Sequence, residues 1–222
     1  MEIIIPLTAL IISVVLHEVM HGFVGNRLGD PTPKMLGRLT LNPIKHLDPW
    51  MSVALPALLV LIGSPIIFGA AKPVPINPIH FKDPRKDMAL VALAGPLTNF
   101  SLALLGIALF KLIFQSDTFS LMFLTQGISA TSPLSWLVLF LSSHITINLV
   151  LGFLNLIPIP PLDGSKVLSA FLPEEIAASY ERLAPYGIFI LFALLLFPLG
   201  PLNIGNLLQF LLTTTLRLFG LL

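Results

Sequence analysis

Long apolar stretches constrain this sequence more than any other feature. Four of them cover residues 3–24, 50–70, 88–113 and 134–157, and each meets or approaches the length of about 20 residues that a membrane-spanning helix needs. Charged residues make up only 10% of the chain, against roughly 25% in soluble domains. We therefore predict an all-α, polytopic protein that crosses the cell membrane several times.

The C-terminal part of the chain contains two shorter apolar pieces, at 183–197 and 202–219. Pro198, Gly200 and Pro201 lie between them, and such residues interrupt a continuous helix. We therefore predict a C-terminal helical hairpin over about 183–222.

Lysine and arginine are concentrated in two loops, and short basic loops stay on the cytoplasmic side of a membrane. The first of these loops follows segment 3–24 and the second precedes segment 88–113, so both ends of segment 50–70 are predicted to lie inside. Pro56, Gly63 and Pro65 let that segment turn back, and we predict that it is re-entrant. The basic residues are Arg27, Lys34, Arg38 and Lys45 in the first loop, and Lys72, Lys82, Arg85 and Lys86 in the second.

No internal repeat or low-complexity tract divides the chain, and its loops are too short for an extra soluble domain. We predict one membrane-embedded domain over 1–222, with a core of about 3–172. The net charge of +1 and the absence of a basic stripe give no reason to expect a nucleic-acid partner. Because the chain has no cysteine, a transition metal would have to be held by imidazole and carboxylate groups.

The first apolar segment contains His17-Glu18-Val19-Met20-His21. Residues four apart share one face of a helix, so both imidazoles can reach one ion while Glu18 lies beside it. Zinc lowers the pKa of water toward ~7, and a neighbouring carboxylate can then take the proton. The alternative is a set of ordinary polar residues on a buried helix, but ionisable groups at membrane depth are costly and need a compensating partner.

A catalytic zinc site uses three protein ligands and keeps one position open, so a third ligand must come from elsewhere. Asp163 is the candidate, because it follows the inner end of segment 134–157 and would share the depth of both histidines. An Asp163-Gly164 turn with no metal is the alternative. The topology favours the ligand, provided that segment 50–70 does not cross the membrane.

Three elements in this order resemble the site-2 protease family of intramembrane zinc metalloproteases. His17-Glu18-x-x-His21 is similar to its zinc motif, Gly95-x-x-x-Asn99 to its central element, and Asn155-x-x-Pro158 with Asp163-Gly164 to the motif of the third ligand. Residues 37–43 and 68–75 also resemble the compact bacterial and archaeal branch, which lacks PDZ and CBS domains. The resemblance covers about residues 10–170.

The resemblance implies a three-helix catalytic core and one zinc ion per chain. It also implies proteolysis of membrane-spanning substrate segments near the cytosolic face, in contact with membrane lipid. The proline-containing region around 72–78 is expected to form a short β element or loop beside the cleft, where an unwound substrate could add as a strand. The oligomeric state is left open.

Two asparagines are candidates for direct catalysis. Asn155 could donate its amide to a developing oxyanion, a role worth about 3–4 kcal/mol in other hydrolases, and Asn99 is a second candidate. For each, an inter-helix hydrogen bond is the alternative. His144, Asn148 and Asn155 form a polar stripe on one helix face, which helix packing explains as well as function. His46 and His80 lie in polar loops and are interpreted as surface residues.

A membrane metal transporter that uses the same histidines and aspartate is the alternative function. Two features favour hydrolysis. A carboxylate directly follows the first histidine, which transport does not require. Transporters usually contain internal repeats, and none is visible in this sequence.

Overall fold

The computed structural model describes residues 3–54, 58, 61, 71–114, 132–196 and 203–222. Three of its helices are long and apolar enough to cross a membrane: α1 (Ile4–Arg27), α3 (Pro84–Ile113) and α4 (Pro133–Asn155). The other helices are α2 (Thr32–Met35), α5 (Asp163–Phe171), α6 (Glu174–Glu181), α7 (Ala184–Leu196) and α8 (Ile204–Leu218). The prediction of a polytopic all-α protein is confirmed.

The long helices begin where the sequence supplies caps. The Asp83 carboxylate accepts a hydrogen bond from the backbone of Lys86 at the start of α3, and Ser132 and Ser135 form a reciprocal capping box at the start of α4. Each of these helices has proline in its first turn, where the missing N–H costs nothing. The predicted starts at 88 and 134 therefore lie four residues and one residue inside the observed helices.

Helix α3 packs against α1 and α4, which also contact each other, and it runs antiparallel to both. His17 of α1 bonds to Asn99 of α3, and His21 bonds to Val91. The partner on α3 thus moves toward the N-terminus as the residue on α1 moves toward the C-terminus, which is the pattern of antiparallel helices. On the α4 side, Asn99 pairs with Asn148 while Gly106 lies against Ile145. The C-terminal ends of α1 and α4 therefore lie at the same end of the bundle as the start of α3.

A tight apolar cluster holds the other half of the bundle together. It joins α3, α4 and the C-terminal residues, and its members include Ala103, Ile107, Phe110, Leu141, Ile145, Leu149, Leu212, Leu216 and Leu221. Helix α8 thus packs on the core through one face. The predicted C-terminal hairpin has its two helices, which contact each other, while its turn lies outside the described residues.

Two loops close the end of the bundle at which α1 finishes. Gly29, with φ of 113°, reverses the chain after α1, and the buried Asp30 then accepts hydrogen bonds from the backbone of Thr32 and Asn77. The Lys72 N–H donates to the His46 carbonyl at 2.9 Å. Both flanks of the 47–71 stretch therefore meet at one end of the molecule.

The predicted re-entrant course of segment 50–70 falls largely outside the described residues; a π-helical turn at Pro49–Ala54 begins it. The predicted short β elements are not found in the part of the chain that the structure describes. Residues 71–77 form neither helix nor strand there, and their backbone bonds to side chains and to a loop carbonyl instead of to a second strand.

Candidate metal centre

Three donor atoms from two distant parts of the chain converge beside α1. His17 Nε2 lies 2.9 Å from His21 Nε2, and Asp163 Oδ2 lies 3.2 and 3.3 Å from these two nitrogens. A tetrahedral zinc ion with ligand distances of about 2.0–2.1 Å holds its donor atoms about 3.3 Å apart. The three side chains thus have the chemistry and the separations of a zinc site with one open position.

The Asp163 carboxylate is poorly satisfied without a cation. Its Oδ2 is buried and has no hydrogen-bond partner, although it faces two imidazole nitrogens. A bound cation would satisfy this oxygen, and an ionised carboxylate is the form that binds metal.

Both imidazoles are fixed by partners at their other nitrogen. His21 Nδ1 lies 2.7 Å from the Val91 carbonyl oxygen. Because a carbonyl only accepts, His21 carries its proton on Nδ1 and presents the Nε2 lone pair to the centre. His17 Nδ1 lies 2.6 Å from Asn99 Oδ1. Helix α3 thus orients both histidines of α1.

Gly95 is the wall of the site on α3. A Cβ atom at this position would lie 2.5 Å from His17 Cε1 and 2.5 Å from His21 Nε2. Only glycine lets α3 approach α1 so closely that the backbone of one helix touches the metal-binding side chains of the other. Gly95 and Asn99, four residues apart on one helix face, therefore serve the same two imidazoles.

Asp163 is brought to the centre by a short, tightly packed connection. It is the first residue of α5, and a Cβ on the next residue, Gly164, would lie 2.2 Å from the Leu156 carbonyl oxygen at the end of α4. At the other end of α5, the Arg85 guanidinium donates to the carbonyls of Ser169 and Leu172. Helix α5 is therefore held to α4 and to the start of α3.

Glu18 follows the first ligand and is half-buried. Its Oε2 accepts a hydrogen bond of 2.9 Å from the N–H of Val74, in segment 71–77. That segment thus lies along the side of α1 that carries the carboxylate.

The remaining predicted residues lie in different surroundings. The Asn155 amide donates to the Leu151 carbonyl in its own helix, and Asn99 bonds to His17 and Asn148. His80 is exposed, as predicted, and lies 3.3 Å from the Asp30 carboxylate. His46 was predicted at the surface, and this was wrong: it is 2% exposed, since its Nε2 bonds to the Thr40 carbonyl beneath the two loops.

Sequence reasoning named Gly95 as part of the Gly95-x-x-x-Asn99 element but not as a wall of the site, and it missed Val74 altogether. The position of Gly95 four residues before Asn99 was a usable signal, because that spacing places both on one helix face. No signal in the sequence pointed to Val74 as the partner of Glu18, since a backbone N–H leaves no trace in residue type.

Comparison with known proteins agrees with this geometry. The profile of Peptidase family M50 matches residues 5–198. The chain is 38% identical over 191 residues to the candidate zinc metalloprotease YwhC of Bacillus subtilis, which covers 86% of this chain and 80% of that protein. It is 33% identical over 191 residues to the candidate zinc metalloprotease Rip2 of Mycobacterium tuberculosis, of which it spans 65%. No solved structure matches the chain significantly.

The matched region contains all three donor residues, the spanning helices that carry the two histidines and their partners, and the carboxylate beside them. The relatives are named as zinc metalloproteases, and this chain has a His/His/Asp group that could hold a metal ion and three helices apolar enough to cross a membrane. The chain belongs to peptidase family M50, the site-2 protease family of membrane zinc metalloproteases.

Proposed function

We propose that this protein is an intramembrane zinc endopeptidase that hydrolyses peptide bonds in membrane-spanning segments of other proteins. The proposal depends on one observation above all: His17 Nε2, His21 Nε2 and Asp163 Oδ2 converge on one point from a spanning helix and from the loop after another. Glu18 directly follows His17 in the sequence, and its carboxylate is the proposed general base.

His17, His21 and Asp163 would hold the zinc ion, which would supply a Lewis acid able to polarise the scissile carbonyl and to lower the pKa of water toward neutral pH. The protein's own groups do the rest. Glu18 takes a proton from the attacking water and later returns it to the leaving amine. The Val74 N–H holds Glu18 Oε2, which fixes the orientation of the carboxylate before substrate arrives.

Asn155 is proposed to donate its amide to the developing oxyanion. Its side chain is only partly buried and lies at the end of α4, from which the chain leads directly to Asp163. The Asn155 amide now bonds to Leu151 in its own helix, and a bond of that kind can be exchanged for one to substrate. The Asn99 amide already has two polar partners, so a catalytic role is proposed for Asn155 before Asn99.

Segment 71–77 is proposed to guide the substrate. Three of its N–H groups, on Lys72, Val74 and Asn77, face the protein and are used there. Pro73 and Pro75 interleave with Lys72 and Val74 and offer carbonyls but no N–H group. An unwound substrate would therefore donate hydrogen bonds to this edge and receive none from those two residues.

The site is proposed to lie near the cytosolic face. The loops at the end of the bundle that holds Asp163 contain the clustered basic residues, and short basic loops stay inside. Cysteines placed at the exposed Met35 and His80 should react with an impermeant reagent only from the cytoplasmic side. Reaction from the outer side alone would reverse the orientation.

Glu18→Gln tests the function. The variant should keep its zinc and lose cleavage of a membrane-spanning reporter peptide by at least about a hundredfold, because general-base catalysis contributes ~10²–10⁴-fold. Glu175→Gln, on the exposed face of α6, is the matched control and should cleave normally. Undiminished cleavage by Glu18→Gln would refute the proposed mechanism.

A metal transporter remains the competing function, because it could use the same ligands. Liposomes containing the protein and a zinc-sensitive dye distinguish the two functions. On the protease proposal, zinc does not enter the liposomes faster with the protein than without it. Zinc flux that His17→Ala abolishes, together with no reporter cleavage, would favour transport.

A further inference from the structure

A chain of buried hydrogen bonds begins at the metal centre and joins all three helices of the bundle. It leads from His17 on α1 to Asn99 on α3, then to Asn148 on α4, and returns to Ser13 on α1. Ser13, Asn99 and Asn148 are all fully buried. Polar groups this deep in a membrane protein need hydrogen-bond partners. Each of the three hydrogen bonds has a donor–acceptor distance of 2.6–2.8 Å.

The direction of each bond follows from one group that can only accept. The Asn148 side chain lies 2.8 Å from the carbonyl oxygen of His144, four residues earlier in α4. A carbonyl cannot donate, so the Asn148 nitrogen must be the atom on that side. The same nitrogen donates its other proton to Ser13 Oγ, which in turn donates to the Ala9 carbonyl.

With Asn148 fixed, the orientation of Asn99 follows. The Asn148 oxygen faces Asn99 at 2.8 Å and only accepts, so the Asn99 nitrogen must donate to it. The Asn99 oxygen then faces His17 Nδ1 at 2.6 Å, and Nδ1 must carry a proton. A neutral His17 with its proton on Nδ1 presents the Nε2 lone pair to the centre.

We propose that Asn148, which does not touch the metal ligands, is a positioning residue of the metal centre: it holds the Asn99 amide in the one orientation that makes His17 a metal ligand through Nε2. A reversed Asn99 amide would donate to His17 Nδ1 and favour the tautomer with its proton on Nε2, which cannot bind the ion. The two histidines differ in this respect. His21 is fixed by the Val91 backbone, whereas His17 depends on two side chains in series.

This inference rests on the proposed metal centre, and it predicts a specific pattern of zinc affinities. Asn148→Val removes the acceptor for Asn99, and zinc affinity should fall about tenfold or more, as it does when partners of metal-binding histidines are lost. Asn148→Asp has the same shape and presents an oxygen to Asn99 in either protonation state. Its zinc affinity should stay close to that of the wild type.

Ser13→Ala is the matched control. It removes a hydrogen bond from the same buried chain, but the His144 carbonyl still orients Asn148, so zinc affinity should not change even if the protein is less stable. Should Asn148→Val not fold, Asn148→Thr carries the same prediction. Its hydroxyl can bond to the carbonyl four residues earlier, yet it is shorter than the amide and should not satisfy Asn99.

The measurement is competition for zinc with a chromogenic chelator, on the full chain in detergent micelles, with thermal unfolding of the zinc-free proteins in parallel. The proposal predicts weak binding by Asn148→Val or Asn148→Thr and normal binding by Asn148→Asp and Ser13→Ala. Equal affinity in all four variants, or a loss that follows stability alone, would overturn it. Absence of zinc binding by the wild type would instead refute the metal centre itself.

Discussion

Replacement of Gly95 by alanine should empty the metal centre without unfolding the protein. The added methyl carbon would lie 2.5 Å from both His17 Cε1 and His21 Nε2, about 0.9 Å inside the 3.4 Å at which ordinary van der Waals contact begins. Neither ring can retreat freely, because each is tied at Nδ1 to α3, by Asn99 and by Val91. The helices or the imidazoles must therefore shift by several tenths of an ångström.

That displacement is large for a metal site. Ligand distances are reproduced within about 0.2 Å in well-formed sites, and a shift several times larger removes at least one ligand from its place. Loss of a residue that only orients a metal-binding histidine lowers metal affinity by as little as ~10-fold. For Gly95→Ala we expect zinc affinity to fall at least about a hundredfold. This corresponds to roughly 2.7 kcal/mol of lost zinc-dependent stabilisation at a fixed, saturating zinc concentration. Alanine in a helix interior is itself favoured over glycine by up to ~1 kcal/mol.

The assay is zinc titration against a chelator, with helix content recorded by circular dichroism. Gly106→Ala is the matched control, since it also places a methyl group at a helix contact of α3, 2.9 Å from Ile145 Cγ1. It lies eleven residues along the helix, about 16 Å away, so it should affect stability but not zinc binding. Wild-type zinc affinity in Gly95→Ala, or an equal loss in Gly106→Ala, would refute the reasoning.

Two further predictions concern stability. The pKa of Asp30 lies below its ordinary value of 3.8, because burial, which raises it, is outweighed by hydrogen bonds from Thr32 and Asn77. Asp30→Asn should therefore lower the free energy of unfolding by about 1–3 kcal/mol at pH 7, measured by denaturation. The stability difference between the wild type and Asp30→Asn is fully present above the ordinary pKa of an aspartate and should shrink as the pH falls through the lowered pKa of Asp30 in the folded protein. A difference that does not change with pH would contradict the ionised state of Asp30. Removal of zinc by a chelator should lower the melting temperature of the wild type and leave that of His21→Ala unchanged.

The spanning helices and the candidate ligands could be predicted, because each follows either from a local apolar pattern or from the energetic cost of ionisable groups in a membrane. A long apolar run has few alternatives to a membrane helix. Two histidines and a glutamate inside such a run are costly unless they have a function, and this led to His17, Glu18 and His21. Asp163 followed from topology, since both histidines needed a partner at their own depth.

The features that the sequence did not reveal depend on tertiary contacts. His46 was interpreted as a surface residue from the polarity of its loop, yet it is 2% exposed, and Lys72, which is distant in sequence, bonds to its carbonyl. Asn99 and Asn148 were recognised as polar residues on helices. That one amide orients the next could not be deduced, because the direction of each bond follows from the contacts of the Asn148 amide with the His144 carbonyl in its own helix and with Asn99 in a neighbouring helix.

The central claim is that two imidazoles of α1 and one carboxylate of α5 hold a single zinc ion. X-ray absorption at the zinc edge, with metal analysis of the purified protein, tests it most directly. We predict one zinc per chain, bound by two imidazole nitrogens and carboxylate oxygen in the wild type, and no bound zinc in Asp163→Ala. Full zinc occupancy and an unchanged spectrum in Asp163→Ala would contradict the claim.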